Sequence, residues 1–122
     1  MFELKLLTHF AAAHKLEMVA QKCENLHGHN WKVEVCVAGE TLDKAGVLMD
    51  FGDVKKYLAE IMQKLDHKYL NELDYFEGGQ PTSENIAIFI VKELQASLDH
   101  TSVKVSRVNV WESENACASY II

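Results

Sequence analysis

Near its start the chain alternates apolar and polar residues with a period of two, and this pattern limits the architecture more than any other feature. From Phe2 to His14 the even positions carry Phe2, Leu4, Leu6, Phe10 and Ala12, whereas Glu3, Lys5 and His9 are odd. Period two marks a half-buried strand, so His14 shares the face of Phe10 and Ala12 if the alternation holds to its end. From His29 to Val37 the pattern is cleaner, with Trp31, Val33, Val35 and Val37 on one face and Asn30, Lys32 and Glu34 on the other. Two further strands are predicted at Ser102 to Glu112 and Ala116 to Ile122. In the former the apolar phase moves from Val103 and Val105 to Val108 and Val110, which predicts a bulge near Ser106-Arg107.

The middle of the chain changes period. Asp50 is a predicted N-cap with Asp53 in the first turn, and Val54, Tyr57, Leu58, Ile61, Met62 and Leu65 recur at helical spacing. A second helix is predicted from Thr82 or Ser83, both good caps, through Ile86, Phe89, Ile90, Leu94 and Leu98. Lys15 to Leu26 reads as a long loop, Gly39 to Val47 as a turn region and Asp66 to Pro81 as a second long connection. The order strand, strand, helix, helix, strand, strand predicts an α+β fold: a four-stranded, mainly antiparallel sheet with two helices on one face, in one domain over 1-122. Such a sheet leaves two edges, and closure through oligomerisation into a barrel is the expected remedy.

Composition bounds the function. No stretch approaches the about 20 apolar residues of a membrane helix. Met1 to Lys5 lacks the basic region and apolar run of a secretory signal, so a cytoplasmic location is the default. A net charge of −6 with no basic run argues against a nucleic-acid partner. Three cysteines, Cys23, Cys36 and Cys117, predict at least one free thiol.

The chemistry concentrates in Cys23-Glu24-Asn25-Leu26-His27-Gly28-His29, with His14 upstream. In an extended segment His27 and His29 present both imidazoles to one face, and Gly28 removes the side chain between them. With His14 as third ligand they make the three-nitrogen, one-open-position set of a catalytic zinc site; unrelated loop histidines are the alternative. Cys23 is then a fourth ligand, a thiol acting as base or nucleophile, or an inert thiol. Asp66-His67 offers either a proton-moving pair or a histidine complementing a helix C-terminus. Glu112, after Trp111, is a solvated strand end or an acceptor for a heterocycle with a 2-amino-lactam edge. Thr82 and Ser83 read most simply as caps.

Taken together, Phe10-Ala11-Ala12-Ala13-His14, Cys23-Glu24-Asn25-Leu26-His27-Gly28-His29-Asn30, Met49-Asp50-Phe51, Leu65-Asp66-His67-Lys68-Tyr69-Leu70-Asn71, Pro81-Thr82-Ser83-Glu84-Asn85 and Val110-Trp111-Glu112 resemble the 6-pyruvoyltetrahydropterin synthase superfamily. The compact length and the Cys-x3-His-Gly-His arrangement are most similar to its bacterial 6-carboxytetrahydropterin synthase branch, of the queuosine pathway. The resemblance implies a tunnelling fold in which trimers form a barrel and two trimers stack, with active sites at subunit interfaces. It implies Zn2+ on His14, His27 and His29, Cys23 as proton-abstracting group, Asp66 and His67 as its relay, and Glu112 with Thr82 and Ser83 holding the pterin. The implied reaction converts 7,8-dihydroneopterin triphosphate to 6-carboxy-5,6,7,8-tetrahydropterin, acetaldehyde and triphosphate. The rivals are 6-pyruvoyltetrahydropterin synthase itself, with a different side-chain product, and a non-catalytic pterin- or metal-binding module. Lys15, Lys22, Lys32, Lys68 and Arg107 are the cations on offer for the triphosphate.

Overall fold

The computed structural model describes residues 1–17, 25–76 and 79–122. Its elements in chain order are β1 (Phe2–His14), β2 (His27–Gly39), α1 (Phe51–Gln63), β3 (Lys68–Tyr69), a 3-10 turn (Leu70–Glu72), α2 (Ser83–Leu98), β4 (Lys104–Ser113) and β5 (Ala116–Ile121). The strands form one sheet in the order β3-β1-β2-β4-β5.

β1 and β2 pair antiparallel along their whole length, from Phe2 opposite Gly39 to His14 opposite His27. This pairing extends β2 two residues beyond each end of the alternating His29 to Val37 run. Cys36 faces Arg107 but Val37 faces Val105, so Ser106 is the extra residue of the predicted bulge. A second irregularity falls between Trp111 and Ser113, where Trp111 faces Cys117 and Ser113 faces Ala116, leaving Glu112 as the extra residue.

The sheet has five strands rather than the expected four. β3 is a two-residue strand parallel to β1, Lys68 opposite Ala12 and Tyr69 opposite Ala13. Two residues carry no periodicity; the pairing follows from how the preceding chain attaches to β1. The Ala11 N–H donates to Asp66 Oδ1 at 2.8 Å and the His67 N–H donates to the Ala11 carbonyl at 2.6 Å.

Both helices cover the face that β1 presents through Leu6 and Phe10 and β2 through Trp31, Val33, Val35 and Val37. Asp50 caps α1 by accepting from Gly52 N–H at 2.7 Å, and Thr82 caps α2 by accepting from Asn85 N–H at 3.1 Å. Val54, Leu58, Ile61 and Met62 of α1 are buried, as are Ile86, Ile90, Leu94 and Leu98 of α2. Each such aliphatic side chain contributes about 1.5–3 kcal/mol by leaving water. The opposite sheet face carries no layer among the described residues, and Leu7 on it is exposed. No helix among them is long and apolar enough to cross a membrane.

Candidate metal centre and active site

Antiparallel pairing brings the end of β1 against the start of β2, and alternation does the rest. His14, His27 and His29 fall in phase with Trp31 and Phe10, on the helix-facing side of the sheet. Glu112 joins them because it continues the phase of Val108 and Val110 and sits at the β4–β5 irregularity, where a strand can re-aim a side chain. One nitrogen from each imidazole and one carboxylate oxygen lie within 4.8 Å of one another.

The distances are tight. His14 Nε2 stands 3.0 Å from His27 Nε2 and 3.0 Å from Glu112 Oε1. The same oxygen is 3.0 Å from His29 Nε2 and 3.8 Å from His27 Nε2. Ligands held at ~2.0–2.1 Å by one tetrahedral ion stand roughly 3.3 Å apart, which is the spacing seen here.

The outer ring atoms fix the donor set. His14 Nδ1 meets the Pro81 carbonyl at 2.8 Å, and His27 Nδ1 meets the Asn25 carbonyl at 2.7 Å. A carbonyl only accepts, so in the neutral ring each Nδ1 carries the proton and each Nε2 presents a lone pair inward. Lone pairs converging with a carboxylate oxygen repel one another unless a cation lies between them. A carbonyl behind a ligating histidine is also the usual means of holding its ring in place. The donor set therefore fits a divalent ion.

His14 is fully buried, and Trp31 lies beneath the cluster, with its ring centroid 5.0 Å from that of His14 and 5.3 Å from that of His29, edge to face. Trp31 Nε1 donates to the Ala12 carbonyl at 3.3 Å. Gly28 points the other way. A Cβ there would meet only Ala12 O at 3.9 Å, ordinary contact, so nothing within the chain demands glycine.

Asp66 and His67 hydrogen-bond to each other directly, Asp66 Oδ2 to His67 Nδ1 at 2.9 Å. Neighbours seldom manage this; His67 does so with φ 57°, a left-handed backbone that turns its ring back on Asp66. The Ala11 N–H, and after it the His67 ring, hold the Asp66 carboxyl below the usual carboxylate range. His67 is exposed and lines a shallow depression of about 520 Å³ with Ala11, Ala13, Gly28, His29, Asn30 and Lys68. Ala11, Ala13, Gly28 and Asn30 alternate with the histidines of the cluster, so the Asp66–His67 pair approaches β1 and β2 from the face opposite the imidazoles.

Ser83 and Glu112 line one small cleft of about 200 Å³ with Glu84, Ala116, Cys117 and Ala118. Thr82 stands beside it, its hydroxyl engaged as the α2 cap. Cys23 and Lys22 lie outside the described residues. Lys32 rests over the Trp111 ring at 4.6 Å, and Arg107 pairs with Cys36; both alternate away from the cluster. Lys68 neighbours His67, and the Lys15 backbone is bonded by Asn71. The offered cations do not converge within one chain among the described residues. A separate cavity of about 630 Å³ around Phe2, Leu4, Leu42, Val47 and Phe51 lies at the far end of β1, roughly 40 Å of extended strand from His14.

A sequence model for 6-pyruvoyl tetrahydropterin synthase matches residues 3–121. The chain belongs to that family. A protein of Archaeoglobus fulgidus provisionally named 6-carboxy-5,6,7,8-tetrahydropterin synthase is 40% identical over 111 residues, covering 91% of this chain and 88% of that one. The human 6-pyruvoyl tetrahydrobiopterin synthase is 42% identical over 81% of this chain and 70% of its own. A dihydroneopterin monophosphate aldolase of Pyrococcus furiosus is 38% identical over 84% of this chain and 82% of its own. In structure, the 6-pyruvoyl tetrahydropterin synthase of Caenorhabditis elegans aligns with a TM-score of 0.86 at 25% identity, covering 99% of this chain and 95% of that one. The arrangement described above is thus the tunnelling fold of this family, and the relatives are named for enzymes acting on pterins.

Proposed function

We propose that this chain, as one domain over residues 1–122, is a zinc-dependent lyase of the 6-carboxytetrahydropterin synthase branch, working in the cytoplasm in queuosine-type biosynthesis. It takes 7,8-dihydroneopterin triphosphate and water to 6-carboxy-5,6,7,8-tetrahydropterin, acetaldehyde and triphosphate. The observation that carries this is the convergence of three imidazole Nε2 atoms and the Glu112 carboxylate at the strand ends, next to a cleft that Glu112 shares with Ser83.

His14, His27 and His29 would hold the zinc, which when bound supplies a Lewis acid for the hydroxyls of the substrate side chain. Glu112 receives the 2-amino-lactam edge of the pterin on its carboxylate, with Thr82 and Ser83 alongside at the start of α2. Cys23, six residues before His29, removes the side-chain proton as thiolate. Asp66, kept ionised by the Ala11 N–H, orients the His67 ring for returning and relaying protons.

The relay pair faces away from its own chain's cluster, so it serves the site of a neighbouring subunit. Two open edges support that assembly. β3 covers β1 only at Ala12 and Ala13, and β5 ends in exposed Tyr120, Ile121 and Ile122. Trimers closing the sheets into a barrel, stacked in pairs, would use both edges.

The second reading is 6-pyruvoyl tetrahydropterin formation, favoured by the 42% identity to the human enzyme. Incubation with dihydroneopterin triphosphate and mass analysis of the products separates them. Acetaldehyde with a carboxylated pterin is expected; a pyruvoyl pterin, or an aldehyde that keeps its phosphate, overturns the carboxy assignment. Unchanged substrate overturns both.

A further inference from the structure

The four donors of the cluster are mounted differently. His14 stands opposite His27 and His29 opposite Ala12, so the backbones of all three histidines are paired in the β1–β2 ladder. The Pro81 and Asn25 carbonyls fix two of the rings from behind. Glu112 falls outside both registers of its own strand. Pairing with β2 ends at Lys32 opposite Trp111, and pairing with β5 steps from Trp111 to Ser113. A residue left out of the ladder in this way can re-aim its side chain.

Glu112 Oε1 nonetheless stands where a ligand atom belongs. It lies 3.0 Å from His14 Nε2, 3.0 Å from His29 Nε2 and 3.8 Å from His27 Nε2, while His14 and His27 Nε2 are 3.0 Å apart. The oxygen is thus spaced from the imidazoles as two of the imidazoles are from each other. The same side chain lines the cleft with Ser83 and Ala118. It is 35% exposed, against 0% for His14, so the carboxylate has room to turn.

The two uses of this carboxylate compete. A 2-amino-lactam edge presents two N–H donors side by side, which a carboxylate accepts with one oxygen each. While Oε1 is directed at the imidazoles it is withheld from that edge.

We propose that Glu112 is an exchangeable fourth ligand: its Oε1 closes the metal site while no pterin is bound, and the carboxylate leaves the imidazoles to take the pterin edge. This rests on the reading of Glu112 as the acceptor of the pterin ring. Three neutral imidazoles then remain, the ligand set that leaves one position open. The open position therefore accompanies the bound ring.

The test uses 6-methylpterin, which has the ring edge but no side-chain hydroxyls of its own. In full-length parent protein, zinc affinity is read by competition with a chelator, with and without saturating 6-methylpterin. The pterin should weaken zinc binding by roughly 5–150-fold, and zinc should weaken pterin binding by the same factor. Glu112→Gln keeps the size of the side chain and loses its charge. It should bind zinc with about the affinity of the pterin-saturated parent, and 6-methylpterin should weaken that no further. With cobalt in place of zinc, the pterin should move the visible spectrum of the parent toward that of Glu112→Gln. A melting midpoint in chelator that matches the parent shows that the variant is folded, and the coupling in the parent needs no variant at all. Equal zinc affinity in the parent and Glu112→Gln would overturn the ligand assignment. Zinc affinity in the parent that ignores saturating 6-methylpterin would overturn the exchange. If at low free zinc Glu112→Gln binds 6-methylpterin as tightly as the parent, the pterin-acceptor reading fails and the exchange with it; weakened zinc binding would then leave Glu112 a permanent ligand.

Discussion

Removing His14 separates a metal ligand from a buried structural histidine, because the two roles change different quantities. His14 is fully buried, with Nδ1 on the Pro81 carbonyl and Nε2 in the cluster. In metal-free protein His14→Ala leaves that carbonyl without its N–H and takes packing from Trp31, a cost of about 2–4 kcal/mol. Unfolding entropy of about 2.1 cal/mol/K per residue gives roughly 0.26 kcal/mol/K over the 122 residues, so each kcal/mol moves the midpoint by roughly 4 °C. The metal-free variant should therefore melt roughly 8–16 °C below the parent.

The metal-linked shift is the second quantity. Free zinc at a thousand times its dissociation constant stabilises the parent by about 4.1 kcal/mol, or roughly 16 °C on the same scale. Losing a ligand weakens binding more than the about 10–100-fold of an outer-shell partner. At about a thousandfold, the same zinc gives the variant only ~0.4 kcal/mol, a shift of roughly 2 °C. Thermal melts at fixed protein concentration, in chelator and in buffered free zinc, measure both shifts. His9→Ala, at an exposed histidine outside the cluster, should keep the full shift. A His14→Ala protein that keeps it would remove His14 from the ligand set. A parent that shows no shift with zinc would refute the zinc centre.

Three further outcomes are expected. Cys23→Ala should abolish most turnover while metal stays near one per chain by elemental analysis; loss of the metal would make Cys23 a ligand. Glu112→Gln should weaken pterin binding by about 10–100-fold, the equivalent of about 1.5–3 kcal/mol for hydrogen bonds to a charged group, measured by titration calorimetry. Normal affinity would remove Glu112 as the anchor, and lost metal would place its carboxylate on the ion. Asp66→Ala should melt below the parent at pH 5 and above. Because the folded carboxyl is held below its ordinary range, its stabilisation is present above the unfolded value of about 3.9 and disappears as pH falls through the lower folded one. Melts that stay equally far apart down to pH 2 would contradict the Ala11 attachment.

The strands and helices were legible because their signals are local. Period two in Phe2 to His14 is a property of consecutive residues, as is the phase change that put a bulge at Ser106. Asp50 and Thr82 cap the helices as expected because a cap bonds within three residues of itself. The clustering of His14, His27 and His29 was legible for the same reason. Once the alternation reaches His14, and His27 and His29 extend the phase of Trp31, all three share one face. Glu112 could have been added to them by carrying the phase of Val108 and Val110 one step further.

Other features depended on which segments came to lie side by side. β3 exists because Asp66 and His67 attach to Ala11, residues 55 apart for the carboxylate contact. The Asp66–His67 hydrogen bond needs a left-handed φ that no neighbouring residue type announces. His14 meets Glu112 across 98 residues, and Asn71 and Gln80 meet Lys15 and Glu17 across 56 and 63. By itself the sequence determined which residues face the core and which imidazoles can share a face, since both follow from backbone period. Only the tertiary structure decided that a carboxylate closes on those imidazoles, that Pro81 orients one of them, and that the Asp66–His67 pair turns to the other face of the sheet. Those contacts depend on strand order and register, which long-range packing sets.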